Sequence, residues 1–208
     1  MKTIVHFENH PSVASVFRVE QLEPRVSRNG LSAQTQFIFQ DYLDRSAPGA
    51  PVLNPSDVAA QAARSWEALQ PAPEKTAWIF DLDPFSAATP DSSYGLCVLL
   101  ALAGQFGMGI EQFLQSDAFL TTVLTLYPDN LRNSGSIINL PRPSCNLTVL
   151  HSLWPRVKKI LNETPSRLTP EERARALQAS KEPGARIMLA NSGNDNAWLA
   201  EVIVSWLA

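Results

Sequence analysis

The sequence is poor in the residues that most often form disulfides or hold metals. It has two cysteines, Cys97 and Cys145, and three histidines among 208 residues. Two cysteines cannot build the disulfide framework of a small secreted domain, so we expect free thiols in a reducing compartment. No apolar run reaches the ~18 residues of a membrane span, and the first residues lack the apolar stretch of a signal peptide. These absences predict a soluble, cytoplasmic protein without a membrane partner.

Motifs that bind phosphate or metal are missing as well. The sequence contains no Gly-x-x-x-x-Gly-Lys-Ser/Thr loop and no Gly-x-Gly-x-x-Gly after a predicted strand. A nucleotide site of either common kind is therefore not expected. His6 and His10 are four residues apart, but Pro11 follows directly and spoils the helical spacing that two zinc ligands need. We predict neither a metal nor a cofactor.

Composition and charge favour one folded domain. With 45% apolar and 18% charged residues, the chain can bury a substantial core. We predict a single domain over residues 1–208, the alternative being that residues 1–50 form an appendage of strands and loops. The net charge of −3 is too small to indicate nucleic acid, which leaves that class of partner weakly supported.

The N-terminal third has mixed signals. Residues 2–7 are typical of a strand, and the apolar residues after Pro11 lie at helical spacing. Alternatively, residues 15–22 and 35–43 pair as a hairpin, because Asn29-Gly30 is a turn signal. We predict an irregular N-terminal third with residues 37–42 as a strand.

From residue 54 onward, predicted strands and helices alternate. Asn54 can cap a helix that has Pro55 in its first turn. Apolar strands are predicted near 77–82, 136–140 and 185–190, separated by helices that include a buried one over 92–106 and helical pieces over 109–127. This order predicts a mainly parallel α/β sheet with helices on both faces, a three-layer fold that is Rossmann-like or degenerate nucleotide-binding-like.

Polar residues follow each of the three predicted strands. In an open parallel sheet, ligands bind at the carboxyl ends of the strands, where these loops emerge. The first loop offers carboxylates and the others offer a cation, amides and a hydroxyl. The candidate residues are Asp81 and Asp83, then Arg142, then Asn191, Ser192, Asn194 and Asp195.

Two of these loops carry a resemblance to a known family. The stretch "WIFDLD" resembles the first motif of haloacid dehalogenase-like phosphotransferases, and "RIMLANS" looks like their second. The resemblance covers these two short patterns. It implies that Asp81 is the nucleophile, that Asp83 does acid-base work and that Ser192 holds the phosphoryl group.

A thiol hydrolase is another form of the enzyme hypothesis. Cys97 lies near the start of a predicted helix, where a helix dipole and a histidine such as His151 could lower the pKa of its thiol. The same cysteine is embedded in "LCVLLALA", which is typical of a buried core helix. We predict that Cys97 belongs to the core and is inert.

Positive charge concentrates late in the chain. Residues 155–186 contain eight Lys or Arg residues against four Glu residues. Arg156, Lys158 and Lys159 form a candidate surface for an acidic protein partner. Because no strong catalytic motif is found, we predict a non-catalytic accessory or adaptor subunit that acts through protein contacts. The alternative is a small hydrolase that uses either Cys97 with His151 or Asp81 with Asp83 and Ser192.

Overall fold

The computed structural model describes residues 1–70, 72–81, 94–125, 187–191 and 196–208. Its strands are β1 (Lys2–Glu8), β2 (Thr35–Asp41), β3 (Lys75–Asp81), β4 (Phe119–Thr125) and β5 (Ile187–Asn191). They form one sheet in the order β2-β1-β3-β4-β5, and every neighbouring pair is parallel. The predicted parallel α/β fold is confirmed for this part of the chain.

Burial explains the composition of the central strands. In β1 and β3 almost every residue is buried, as expected for parallel strands covered on both faces. Alternate residues contribute to two separate cores. One core contains Ile4, Ala77 and Ile79, and the other contains Val5, Trp78 and Phe80.

Helices cover each of these cores. They are α1 (Pro11–Val16), a π-helical turn (Phe17–Leu22), α2 (Glu23–Arg28), α3 (Pro55–Glu67), α4 (Tyr94–Gln105), α5 (Ile110–Gln115) and α6 (Asn196–Leu207). The first three follow one another without a break, and we call residues 11–28 the N-terminal helical segment. This segment and α6 pack on one face of the sheet, and α3, α4 and α5 pack on the other.

Two helices begin or pack as their sequences predict. The side chain of Asn54 accepts a hydrogen bond from the Ser56 backbone N–H at 2.9 Å, and Pro55 occupies the first turn of α3. Helix α4 is apolar on nearly every side, and Cys97 and Leu99 on it are both 1% exposed. The predicted buried helix is therefore present at residues 94–105.

In the N-terminal third, the strand predicted at 2–7, the helical spacing after Pro11 and the strand predicted at 37–42 agree with β1, α1 and β2, and the alternative hairpin does not. Residues 11–28 are helical rather than one arm of a hairpin, and β2 pairs in parallel with β1. The expected irregular structure is replaced by two strands and a helical segment. Phe17, Leu22 and Val26 are buried against the sheet, and this packing selects the helix.

The prediction of helical pieces over 109–127 was partly wrong. Within residues 109–125, which the structure describes, Ile110–Gln115 is helical and Phe119–Thr125 is the strand β4. The run "FLTTVLT" is rich in β-branched residues, which fit a buried strand better than a helix. The strand predicted at 136–140 lies outside the described residues.

Candidate functional site

Three carboxylates lie in a row where neighbouring strands end. Glu8 ends β1 and is the register partner of Asp41 at the end of β2. On the other side of β1, the register with β3 reaches Phe7 and Phe80, so Glu8 and Asp81 come next. We call Asp41, Glu8 and Asp81 the carboxylate row. The chain runs outward from β1 to β2 and then returns to β3, so the row lies at the topological switch point.

Glu8 is the most enclosed residue of this row. It is 5% exposed, and its Oε1 accepts hydrogen bonds from the Asn9 and His10 backbone N–H groups at 3.0 and 3.2 Å. A further hydrogen bond joins its carboxyl group to that of Asp81. Burial raises the pKa of Glu8, while the hydrogen bonds from the His10 and Asn9 backbone and with Asp81 act in the opposite direction.

Arg45 neutralises one end of the row. Its guanidinium forms an ion pair with Asp41 through Nε and donates from Nη2 to the backbone carbonyl of Asn9. The other Asp41 oxygen accepts from the Leu43 backbone N–H at 2.9 Å. Arg45 therefore links the end of β2 to the turn that leads from β1 into α1.

Tyr42 supports the row from the opposite face of the sheet. Its side chain is fully buried, and its hydroxyl donates to the Asp81 backbone carbonyl at 3.1 Å. Burial and the Asp81 charge hold the pKa of Tyr42 well above its ordinary value. This tyrosine therefore stays neutral and serves as a hydrogen-bond donor at physiological pH.

The row can hold a proton. Two hydrogen-bonded carboxyl groups share a proton more readily than they ionise together. Within the described ranges, no group of three His, Cys, Asp or Glu side chains is arranged to hold a metal ion. A carboxyl pair that holds a proton can supply acid-base chemistry.

Comparisons with protein-family models, curated proteins and solved structures found no match to this chain. In the part of the chain that the structure describes, no helix is long and apolar enough to cross a membrane.

The structure places three of the predicted site residues. Cys97 is buried in the core that α4 forms with α3 and the sheet. Asp81 lies in the carboxylate row, while Asn191 ends β5, with β4 between β5 and β3. Strands are ~4.8 Å apart, so the backbones of Asp81 and Asn191 are separated by roughly 10 Å. The predicted site residues outside the described ranges are Asp83, Arg142, His151, Arg156, Lys158, Lys159, Ser192, Asn194 and Asp195.

Four residues of this site were not predicted. They are Glu8, Asp41, Tyr42 and Arg45. A signal was present, because Glu8 directly follows Phe7 in "HFENH" and Asp41 follows the apolar run 37–39 by one residue. Recognising that β2, β1 and β3 lie side by side in parallel would have brought Glu8 and Asp41 to the same edge as Asp81.

A groove of about 440 Å³ lies at the opposite end of the strands. Lys2 and Lys75 contribute to its wall, together with the last residues of α6. Lys75 Nζ donates to the Trp206 carbonyl at 2.7 Å, and Lys2 Nζ donates to the Ala208 carbonyl at 3.5 Å. These lysines stabilise the carboxyl end of α6, which is a structural role.

Proposed function

We propose that this chain is a non-catalytic accessory or adaptor subunit that acts in the cytoplasm through contact with a protein partner. The observation that carries the proposal is an exposed apolar stripe on the N-terminal helical segment. Val13, Val16 and Val19 are 51%, 53% and 53% exposed, more than any other large apolar side chain in the described ranges. We call these three residues the valine stripe.

The valine stripe is separate from the face that holds the helix on the sheet. The side chains that anchor the same segment are Ala14, Phe17 and Leu22, all of which are buried. Val13 and Val16 are neighbours three residues apart on α1, and Val19 follows in the π-helical turn. Exposed apolar side chains grouped in this way are typical of protein contact sites.

Charged residues border the valine stripe. Arg18 and Glu23 form an ion pair at 2.7 Å, and both side chains are exposed. An apolar centre with a polar rim is the usual composition of a protein interface. Arg156, Lys158 and Lys159 stay a second proposed surface, for an acidic partner.

The state of the candidate nucleophiles also supports a contact function. Cys97 is enclosed in the core, where an apolar environment keeps a thiol in its unreactive form. The carboxylate row is engaged with backbone N–H groups and with Arg45, bonds that stabilise the end of the sheet.

The test is quantitative co-purification from the cells that make the protein. The variant Val13→Ser, Val16→Ser, Val19→Ser removes the apolar surface, and it should still fold because Ser and Val have similar helix propensities. We expect one or more wild-type partners to be lost.

The matched control replaces Gln61, Arg64 and Glu67 with Ser, since these residues are exposed and also three apart on α3. This control should retain the partners. Recovery of the same proteins in the same amounts from all three chains would contradict the proposal.

A second candidate is favoured by the Glu8–Asp81 pair. In a phosphotransferase-like site, an ionised Asp81 would attack phosphorus while a protonated Glu8 gives its proton to the leaving oxygen. Water would then cleave the phosphoryl–Asp81 bond, with the ionised Glu8 accepting the proton of the water. Glu8 would then take the acid-base role that the resemblance implied for Asp83. The raised pKa of Glu8 suits a proton donor.

This candidate is tested by hydrolysis of p-nitrophenyl phosphate in the presence of Mg²⁺. The chemistry predicts turnover by the wild type and a loss of at least about a hundredfold in Asp81→Asn, because the nucleophile is removed. Equal rates for the wild type and Asp81→Asn would exclude it.

A further inference from the structure

We propose that two copies of this chain pair through β2, with the outer edge of the strand joined to the same edge of a second copy in antiparallel orientation about Ile38. The inference concerns the edge of the sheet, so it stands whether or not the valine stripe binds a partner. It rests on the position and exposure of β2, on its sequence and on the charges at its two ends.

β2 lies at the end of the described sheet, with β1 as its neighbour. A strand in this position has a row of backbone N–H and C=O groups that face away from the sheet. Proteins usually protect such strands with charged residues or proline, and residues 35–40 contain neither. Phe39 is 42% exposed, and Gln36 is also exposed. The outer edge of β2 is therefore a surface to which another strand can be added.

The sequence of β2 is complementary to a second copy of itself. Residues 36–40 are QFIFQ, which reads the same in both directions. In an antiparallel pair centred on Ile38, Phe37 faces Phe39 of the second copy, and cross-strand aromatic pairs stabilise a sheet. A shift by two residues would instead place Phe39 opposite Thr35, or Phe37 opposite Asp41. The two-fold axis of a symmetric dimer thus matches like side chains.

The side chains beside β2 are compatible with this pairing. Phe37 and Phe39 point to the face that the N-terminal helical segment covers, and the Arg18 guanidinium lies 5.0 Å from the centroid of the Phe37 ring. Phe39 of the second copy extends the aromatic surface beside this cation. Gln40 is buried and donates from Nε2 to the Asp41 carbonyl at 3.3 Å, so it contributes to the pair through its backbone.

Charge complementarity favours the antiparallel orientation. Lys2 lies beside Thr35 at the start of β2, whereas Asp41 ends the strand and Asp44 follows, with Arg45 balancing one of these two negative charges. Pairing about the centre of β2 brings Asp41 of the second copy opposite Thr35, which is two strand spacings, roughly 10 Å, from Lys2. Opposite charges of the two copies therefore approach each other, while a parallel pair would bring like charges together.

The experiment measures the mass of the purified full chain by analytical ultracentrifugation over a range of concentrations. The wild type should change from a monomer to a species of twice the mass as concentration rises. Phe39→Lys and Phe39→Glu should each stay monomeric, because the pairing brings two like charges into diagonal contact across the axis. Both changes are made at an exposed side chain, and circular dichroism checks that the fold is kept.

An equimolar mixture of the two variants should recover the doubled mass, because the lysine of one chain then lies diagonally across from the glutamate of the other. Misfolded variants could not produce this recovery. The control Gln61→Lys adds the same charge on α3 and should dimerise like the wild type. A wild type that stays monomeric at every concentration, single variants that dimerise as it does, or a mixture that stays monomeric would overturn the proposal.

Discussion

Truncation of Leu99 measures how tightly α4 packs on the sheet. Leu99 is 1% exposed and lies in the core that contains Trp78 and Phe113. Leu99→Ala removes three carbon atoms, worth roughly 2.4 kcal/mol of transfer free energy at ~0.8 kcal/mol per methylene group. The cavity left behind adds to this loss, so we expect a total decrease of about 3–5 kcal/mol in the free energy of unfolding.

Leu100 on the same helix provides a matched control. It is only partly buried, so Leu100→Ala makes the same chemical change with the same effect on helix propensity in a less enclosed place. The assay is urea unfolding followed by circular dichroism, with the slope against urea used to check that both variants unfold alike. Leu100→Ala should cost at least about 1 kcal/mol less than Leu99→Ala. Equal losses, or a loss below about 1 kcal/mol at Leu99, would refute the described packing of α4.

Three further predictions concern the core, a helix cap and the basic surface. Cys97 should react with a thiol reagent far more slowly than a small free thiol under native conditions, because it is enclosed in the core; fast labelling would contradict its burial. Asn54→Ala should lower the free energy of unfolding by roughly 1 kcal/mol, because the Ser56 N–H loses its capping hydrogen bond. An unchanged free energy in urea unfolding would contradict the cap. Exchange of Arg156, Lys158 and Lys159 for Glu should weaken the binding of an acidic partner more at low salt than at high salt. Equal recovery of the partner by the wild type and the variant in pull-downs would exclude this surface as its binding site.

Local signals were sufficient for the elements whose sequence pattern and packing agree. Asn54 and Pro55 marked the start of α3, and the continuous apolar run of β3 marked a fully buried strand. Helix α4 was predicted from its apolar length alone. Together they indicated a parallel α/β fold before the partners of each strand were known.

Non-local pairing decided the elements that were mispredicted. β4 lies between β3 and β5, and this position favours a strand in a segment that also has helical spacing of apolar residues. For residues 11–28 the sequence allowed a helix or a hairpin arm, and burial of Phe17 and Val26 against the sheet selects the helix. The sequence alone does not indicate which strands and helices pack against these segments.

The candidate site was missed for the same reason. Asp81 could be predicted because it directly follows a clear strand. Glu8 and Asp41 also follow apolar runs, but their approach to each other depends on β1 and β2 lying side by side in parallel. A carboxylate row across three strands is a property of strand order, which a linear pattern does not encode.

The contact function depends most directly on whether the valine stripe touches another protein. A photoreactive amino acid at Val16 should form a covalent adduct with a partner when cells that make the protein are irradiated. The same group at Gln61, exposed on α3, serves as the control. The account predicts a discrete adduct from position 16 that is absent from position 61. No adduct at position 16, or the same adducts from both positions, would contradict it.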